Sequence, residues 1–355
     1  MAYTTIDKPS DYFNTVLYAG NSSTQAITGV GFAPNWVWLR ERTQASDHCL
    51  FDTVRGANKD INSNDTSGEA TTSNKLTAFG SDGFTLGNSN TTNQSGQNNV
   101  SWNWKAGTSF TNDASGTGIG SIDSSGSFNN TSGFSIVSWT GTGSAGTIKH
   151  GLNSTPKTII IKRTDTIQDW AVLHAGIATD FATDYLILNK TNAAADHATW
   201  WNDTAPTSSV FTVGTNGSVN SSETGATYIG YVFSEKQGYS KFSSYTGNGN
   251  ADGTFVYTGF KPAFVMAKRS NSASAGNWNI RDSKRSPSNV ASQVLEADSS
   301  AAEGTATGTL IDIYSNGFKP RNGGSGVNAG SSLYIYMAFA ENPFVTSTGV
   351  PATAR

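Results

Sequence analysis

The sequence predicts an all-β fold of three tandem β-sandwich repeats, and three observations predict it. Short runs alternate apolar and polar residues between Gly, Asn, Ser and Pro, as in residues 134–139 (FSIVSW) and 36–40 (WVWLR); this is the period-2 signature of strands. No window of about 11 residues shows helical periodicity. One outline also recurs three times, in residues 12–42, 134–163 and 242–269: an aromatic, a short run ending in Tyr or Trp, a Gly, a loop, Gly-Phe or Gly-Leu, a Pro, an apolar run and a basic residue.

The corner glycine of that outline moves from Gly31 to Gly151 to Gly259. Such a spacing is far longer than the roughly 20–50 residues of solenoid or blade repeats, so each copy reads as a domain. The expected division is 1–120, 121–238 with a Gly/Ser-rich lead-in, and 239–355 with a C-terminal tail. Within each copy the same β-type blocks follow in the same order. The first has residues 36–40, 48–52, 81–87 and 100–104, with a polar loop between 53 and 74. The second has 157–163, 169–174, 184–189, 211–214 and 228–233, and the third 264–269, 277–282, 293–297, 316–319 and 333–339. Residues 107–132, rich in Gly, Ser, Thr and Asn, read as a linker.

A strand apolar on one face needs a second sheet to cover it, so about 100 residues of alternating strands close as a two-sheet sandwich. Gly followed shortly by Pro marks the corner where a strand leaves one sheet for the other: Gly31, Gly151 and Gly259 supply positive φ, and Pro34, Pro156 and Pro262 stop the ladder. Trp170 and Trp278, with His48 in the matching slot, are placed to fill the space between two sheets, with ligand stacking as the minor reading. Trp36, Trp38, Trp102 and Trp104 alternate at period 2 and read as core or domain-interface packing.

Composition narrows the function. Net charge is −3, from 23 basic and 26 acidic residues scattered along the chain, so no basic stripe suits nucleic acid or an anionic membrane surface. Charged residues are 14% of the chain against roughly 25% in a typical domain, which leaves a polar, mostly uncharged exterior of hydroxyl and amide groups. One cysteine, Cys49, excludes an intrachain disulfide framework and reads as a core residue. The N-terminus lacks a signal-peptide layout and no apolar run approaches a membrane span, so synthesis in a cytoplasm is expected.

No enzyme site is legible. Asp52 and Asp282 occupy the slot after the middle strand and are the carboxylates to weigh for glycosidase chemistry, but the second copy has His174 there, and surface carboxylate is the plainer reading. No Gly-x-Ser-x-Gly elbow occurs, and His48, His150, His174 and His197 lack metal-site spacing. Residues 247–253 read as a hairpin turn, not a calcium loop. No cofactor or metal is expected, nor catalysis. Trp200 and Trp201 lie in a polar loop where at least one ring is hard to bury, and so are candidates, with Trp170 and Trp278, for sugar stacking or subunit contact.

The recurring segments quoted above, together with residues 239–249 (YSKFSSYTGNG), 315–319 (SNGFK) and the terminal YIYMAFAENPFVTSTGVPATAR, resemble repeat-bearing, tail-fibre-like virion proteins of marine tailed bacteriophages and cyanophages. The resemblance runs from about residue 12 to 355. It implies a virion structural protein built of jelly-roll or lectin-like sandwich modules and made in the host cytoplasm, with other virion proteins as partners and no catalytic residue. The expected role is host adsorption through cell-surface glycan, with capsid decoration as the first alternative and surface-polysaccharide depolymerisation as the second. A homo-oligomer, a trimer by context, is expected on a symmetric particle.

Overall fold

The computed structural model describes residues 2–177, 181–272, 274, 276–305 and 308–351; residues 352–355, the end of the expected third repeat, lie outside them. The fold is all-β, as the alternating runs predict, with antiparallel pairing throughout the named strands.

Three large sheets share one strand order. The first runs Phe13–Ala19, Asn98–Trp104, Trp36–Glu41, Cys49–Asp52, Gly56–Asn62, Ala70–Thr71. The third runs Ser240–Thr246, Leu333–Pro343, Phe260–Arg269, Asn279–Asp282, Gln293–Glu296, Gly304–Thr305. The second repeats the order from Phe134–Thr140 through Thr227–Phe233, Thr158–Arg163, Ala171–His174 and Asp184–Ile187 to Ala195–Asp196. Its other edge carries an added hairpin of Thr108–Asn112 and Ser124–Asn129. The segment expected to be a linker therefore holds two strands, and Thr108–Asn112, on the first-repeat side of residue 120, pairs into the second sheet. Ser and Thr made this segment read as loop, yet backbone pairing needs no apolar side chain.

A small sheet faces each large one. These are Gln25–Ile27, Gly83–Leu86 and Leu76–Gly80 in the first unit, Gly146–Lys149 with Val210–Val213 in the second, and Val256–Tyr257, Gly317–Pro320 and Ile311–Tyr314 in the third. The chain passes from small to large sheet at the three corners, where Gly31, Gly151 and Gly259 have φ of 87°, 77° and 82°. Pro34 and Pro156 precede their strands as expected. Pro262 instead lies inside Phe260–Arg269, where a bulge absorbs the missing donor.

The central strand of each unit is buried on both faces, which explains its nearly unbroken apolar run. In Trp36–Glu41, Val37 and Leu39 face their own sandwich core, while Trp36 and Trp38 point into a second core. Ile159 and Ile161 against Ile160, and Val265 and Ala267 against Met266 and Phe264, divide in the same way. The second core is common to all three units. Trp104, Phe233 and Phe339 hold the same register position, opposite Trp36, Thr158 and Phe264, and they converge there: the Phe339 ring lies 5.6 Å from Trp104 and 5.8 Å from Phe233. The three sandwiches are thus fused back to back around one aromatic centre.

The two ends of the described chain also meet. The Ser347 amide donates to Asp7 Oδ1 at 2.6 Å, and Thr4 Oγ1 separately ties the N-terminal segment to the crossing between the second and third units, donating to the Gln237 carbonyl at 2.8 Å.

Candidate functional site

The residues weighed for chemistry lie at the joints between units. Register places Asp52, His174 and Asp282 in one equivalent slot, opposite Trp36, Thr158 and Phe264. Each is almost wholly buried, and each is met by the next unit around the ring. Tyr231 of the second unit donates its hydroxyl to Asp52 Oδ2 at 2.9 Å. Trp102 of the first donates Nε1–H to Asp282 Oδ2 at 3.0 Å. His174 turns Nε2 to the Tyr336 carbonyl of the third at 3.1 Å, while its Nδ1 accepts the Gly176 amide.

Charge at these joints is internally matched. Asp52 binds Arg55 and Asp282 binds Arg285, three residues on in each case, and each carboxylate also accepts the two following free amides, from Val54 and Arg55 and from Lys284 and Arg285. The Arg285 guanidinium sits 5.3 Å from the Trp102 ring centre. In the second unit Ile177, buried in the shared core, replaces the arginine, so the joint is neutral. Burial pushes the His174 imidazole down to about 4, only partly opposed by the Tyr336 carbonyl. Asp52 and Asp282 are therefore structural anchors, not the surface carboxylates that the sequence suggested.

A second set of contacts repeats the cycle in the opposite sense. Arg40, Lys162 and Lys268 hold equivalent places at the ends of the central strands. Arg40 reaches the Ser300 and Ala301 carbonyls of the third unit, Lys162 the Thr66 carbonyl of the first at 2.9 Å, and Lys268 the Thr191 carbonyl of the second at 3.1 Å. Desolvation lowers both lysines to about 8. Trp170 donates Nε1–H to the Asn62 carbonyl of the first unit, and Trp278 to the Ile187 carbonyl of the second. These two indoles, expected between the sheets of one sandwich, lie between units in the shared core.

Trp200 and Trp201 are also in a core. In the second unit a helical turn, Ala198–Trp201, occupies the chain position of the third small-sheet strand, and its rings fill the resulting gap. Trp200 is 6% exposed and stacks on Tyr185 with centroids 3.8 Å apart; Trp201 is fully buried. Neither ring presents a face to solvent for a sugar or a subunit. The polar letters around them hid a compact turn, capped where His197 accepts from the Thr199 amide.

The accessible candidates are surface grooves. One of about 420 Å³ lies where the first and third units meet, between Gln44, Asp47, Asn90 and Ser300. Another of about 260 Å³ is bordered by Tyr3, Glu235, Gln237, Lys241 and Tyr257. It carries an exposed aromatic ring, Tyr257 being 53% exposed. Sequence reasoning missed it, although the alternation Phe255-Val256-Tyr257 was a usable signal: with Val256 inward, both rings point out. Among the described residues no group of three His, Cys, Asp or Glu side chains is placed to hold a metal ion.

No curated protein matches the chain. A family model, described as a domain of unknown function (DUF7483), matches residues 8–343 and so takes in all three sandwiches and the joints between them. The chain belongs to this DUF7483 family, and in this chain the matched residues span the fused ring of three.

Proposed function

We propose that the chain is a non-enzymatic structural protein of a tailed-phage virion, tail- or fibre-associated, that serves host adsorption by binding cell-surface glycan. The observation that carries this reading is the fate of the reactive groups. The two carboxylates considered for glycosidase work are buried, bound to arginines and capped by a donor from the neighbouring unit; the remaining exterior is rich in hydroxyl and amide groups. Such a block favours display of loops over turnover. The sequence resemblance to virion proteins points the same way.

Affinity for a solvated sugar at one site is modest, so useful adhesion comes from many copies engaging together. Other virion proteins, and a homo-oligomer with a trimer as the first state to look for, complete the proposal. Immunogold electron microscopy of virions with antibody against this chain tests it. Label confined to tails or fibres is the expected result. Label over the head favours capsid decoration, for which a fused three-unit block seated among coat subunits is the second reading. Reducing sugar released from host polysaccharide by the purified chain defeats the non-enzymatic reading.

A further inference from the structure

We infer that the groove beside Tyr257 is a subsite for one neutral hexopyranose, with the Tyr257 ring as its stacking platform and the Glu235–Lys241 pair as its hydrogen-bonding wall. The inference rests on the glycan-binding reading and gives it a place. The internal repeats act as the control. Ile27, Ile148 and Val256 are register equivalents, each buried and paired with a phenylalanine of the neighbouring small-sheet strand, Phe84, Phe211 and Phe318. The outward positions on either side are Ala26 and Thr28, then Thr147 and Lys149, and in the third unit Phe255 and Tyr257. Two units build this sheet without an outward aromatic, so the fold does not require the rings. At 45% and 53% exposure Phe255 and Tyr257 contribute little to apolar burial; Phe255 packs edge-on to Tyr314, with ring centres 6.0 Å apart, which leaves Tyr257 as the ring that borders the groove.

The surroundings of Tyr257 suit a sugar. Tyr3 donates its hydroxyl to the Gly259 carbonyl at 2.7 Å, and its oxygen lies 3.3 Å from the Tyr257 hydroxyl, so the Tyr257 ring is held at its far end before any ligand arrives. Across the groove Glu235 Oε1 binds Lys241 Nζ at 2.9 Å, and Oε2 accepts the Phe242 amide at 3.3 Å. A fixed acceptor and a fixed donor side by side match adjacent hydroxyls on one sugar ring, and their balanced charge favours a neutral sugar over a uronic acid. The groove, about 260 Å³, lies just under the ~300–1,000 Å³ of drug-sized sites, which fits one ring of a longer chain.

Saturation-transfer NMR on the full chain, with the methyl pyranosides of glucose, galactose, mannose and N-acetylglucosamine as probes, tests this. The expected result is transfer to at least one of them, reduced about tenfold or more in affinity by Tyr257→Ala, weakened by Glu235→Gln and unchanged by Ile167→Ala on the exposed surface of the second unit. Transfer that survives Tyr257→Ala overturns the groove while leaving glycan binding elsewhere on the chain in place. Absence of transfer from all four sugars overturns the groove as well; tail labelling of virions in that case leaves the adsorption reading standing without it.

Discussion

Tyr231 and Asp52, 179 residues apart, share a hydrogen bond of 2.9 Å that ties the second sandwich to the first. The same carboxylate binds Arg55, so loss of either partner leaves a buried charge underserved. Tyr231→Phe is expected to lower stability by ~1–3 kcal/mol, and Asp52→Ala by ~3 kcal/mol, because buried Arg55 then keeps only the more distant Glu69, at 3.3 Å, as counter-charge while the Tyr231 hydroxyl and the Val54 and Arg55 amides lose their acceptor. Urea denaturation of the two single variants and the double variant measures the coupling. Additivity within a few tenths of a kcal/mol would show that the bond carries nothing.

Acid should loosen the joint between the second and third units. An unfolded chain protonates His174 near its ordinary 6.5, whereas the folded chain holds the ring neutral down to about 4; His150, also lowered to about 4 by burial, behaves alike. The unfolded state therefore takes up protons first, and stability falls as pH drops from about 6.5 to about 4, by on the order of 3 kcal/mol for each ring. Thermal melts across that range on the native chain and on His174→Gln should differ in slope; parallel curves would remove His174 from the account.

Trp201→Ala is expected to destabilise the chain by ~3–5 kcal/mol through the cavity it opens, with a smaller loss for Trp200→Ala. Denaturant midpoints check this. Any effect of these variants on adsorption should track the unfolded fraction, since neither ring faces solvent.

The shared core also predicts cooperative unfolding. Far-UV circular dichroism and tryptophan fluorescence should trace one coincident transition, because no sandwich can leave without exposing the aromatic centre around Trp36, Phe233 and Phe339. Residues 1–106 expressed alone should self-associate or stay unfolded; a well-behaved folded monomer would refute the shared core.

Much of the fold was legible because a strand's two faces are written in alternate letters. The runs at 36–40, 158–163 and 264–269, the corner glycines and the small-sheet strands at 83–86, 211–213 and 317–319 all stand where the pattern placed them. The strand Gly56–Asn62 looks like loop in sequence because GANKDIN buries only its Asp60 and Ile61 side chains and pairs by its backbone. The joints were hidden for a different reason. The slot holds Asp, His and Asp because the facing position in the next unit is Tyr231, Met337 or Trp102. A ring donor calls for a carboxylate, whereas Met337 leaves the adjacent backbone carbonyl as the available partner and so calls for a donor. That logic spans units far apart in sequence, and no local window contains it. The Tyr257 groove is not legible from sequence because its walls, Tyr3, Glu235, Lys241 and Tyr257, come from segments far apart in the chain.

The contact between Asp7 and Ser347 closes a third seam between sandwiches, equivalent to the two that the backbone crosses directly. The other two seams, 105–107 and 234–239, are short crossings between finished sheets. Joining the segments around Asp7 and Ser347 by a short linker and reopening the chain at 105–107 should therefore yield a circular permutant with the same ring. Which sandwich is translated first would then be a matter of gene order and not of architecture, and a displayed loop or tag could be moved to any seam without redesigning the block.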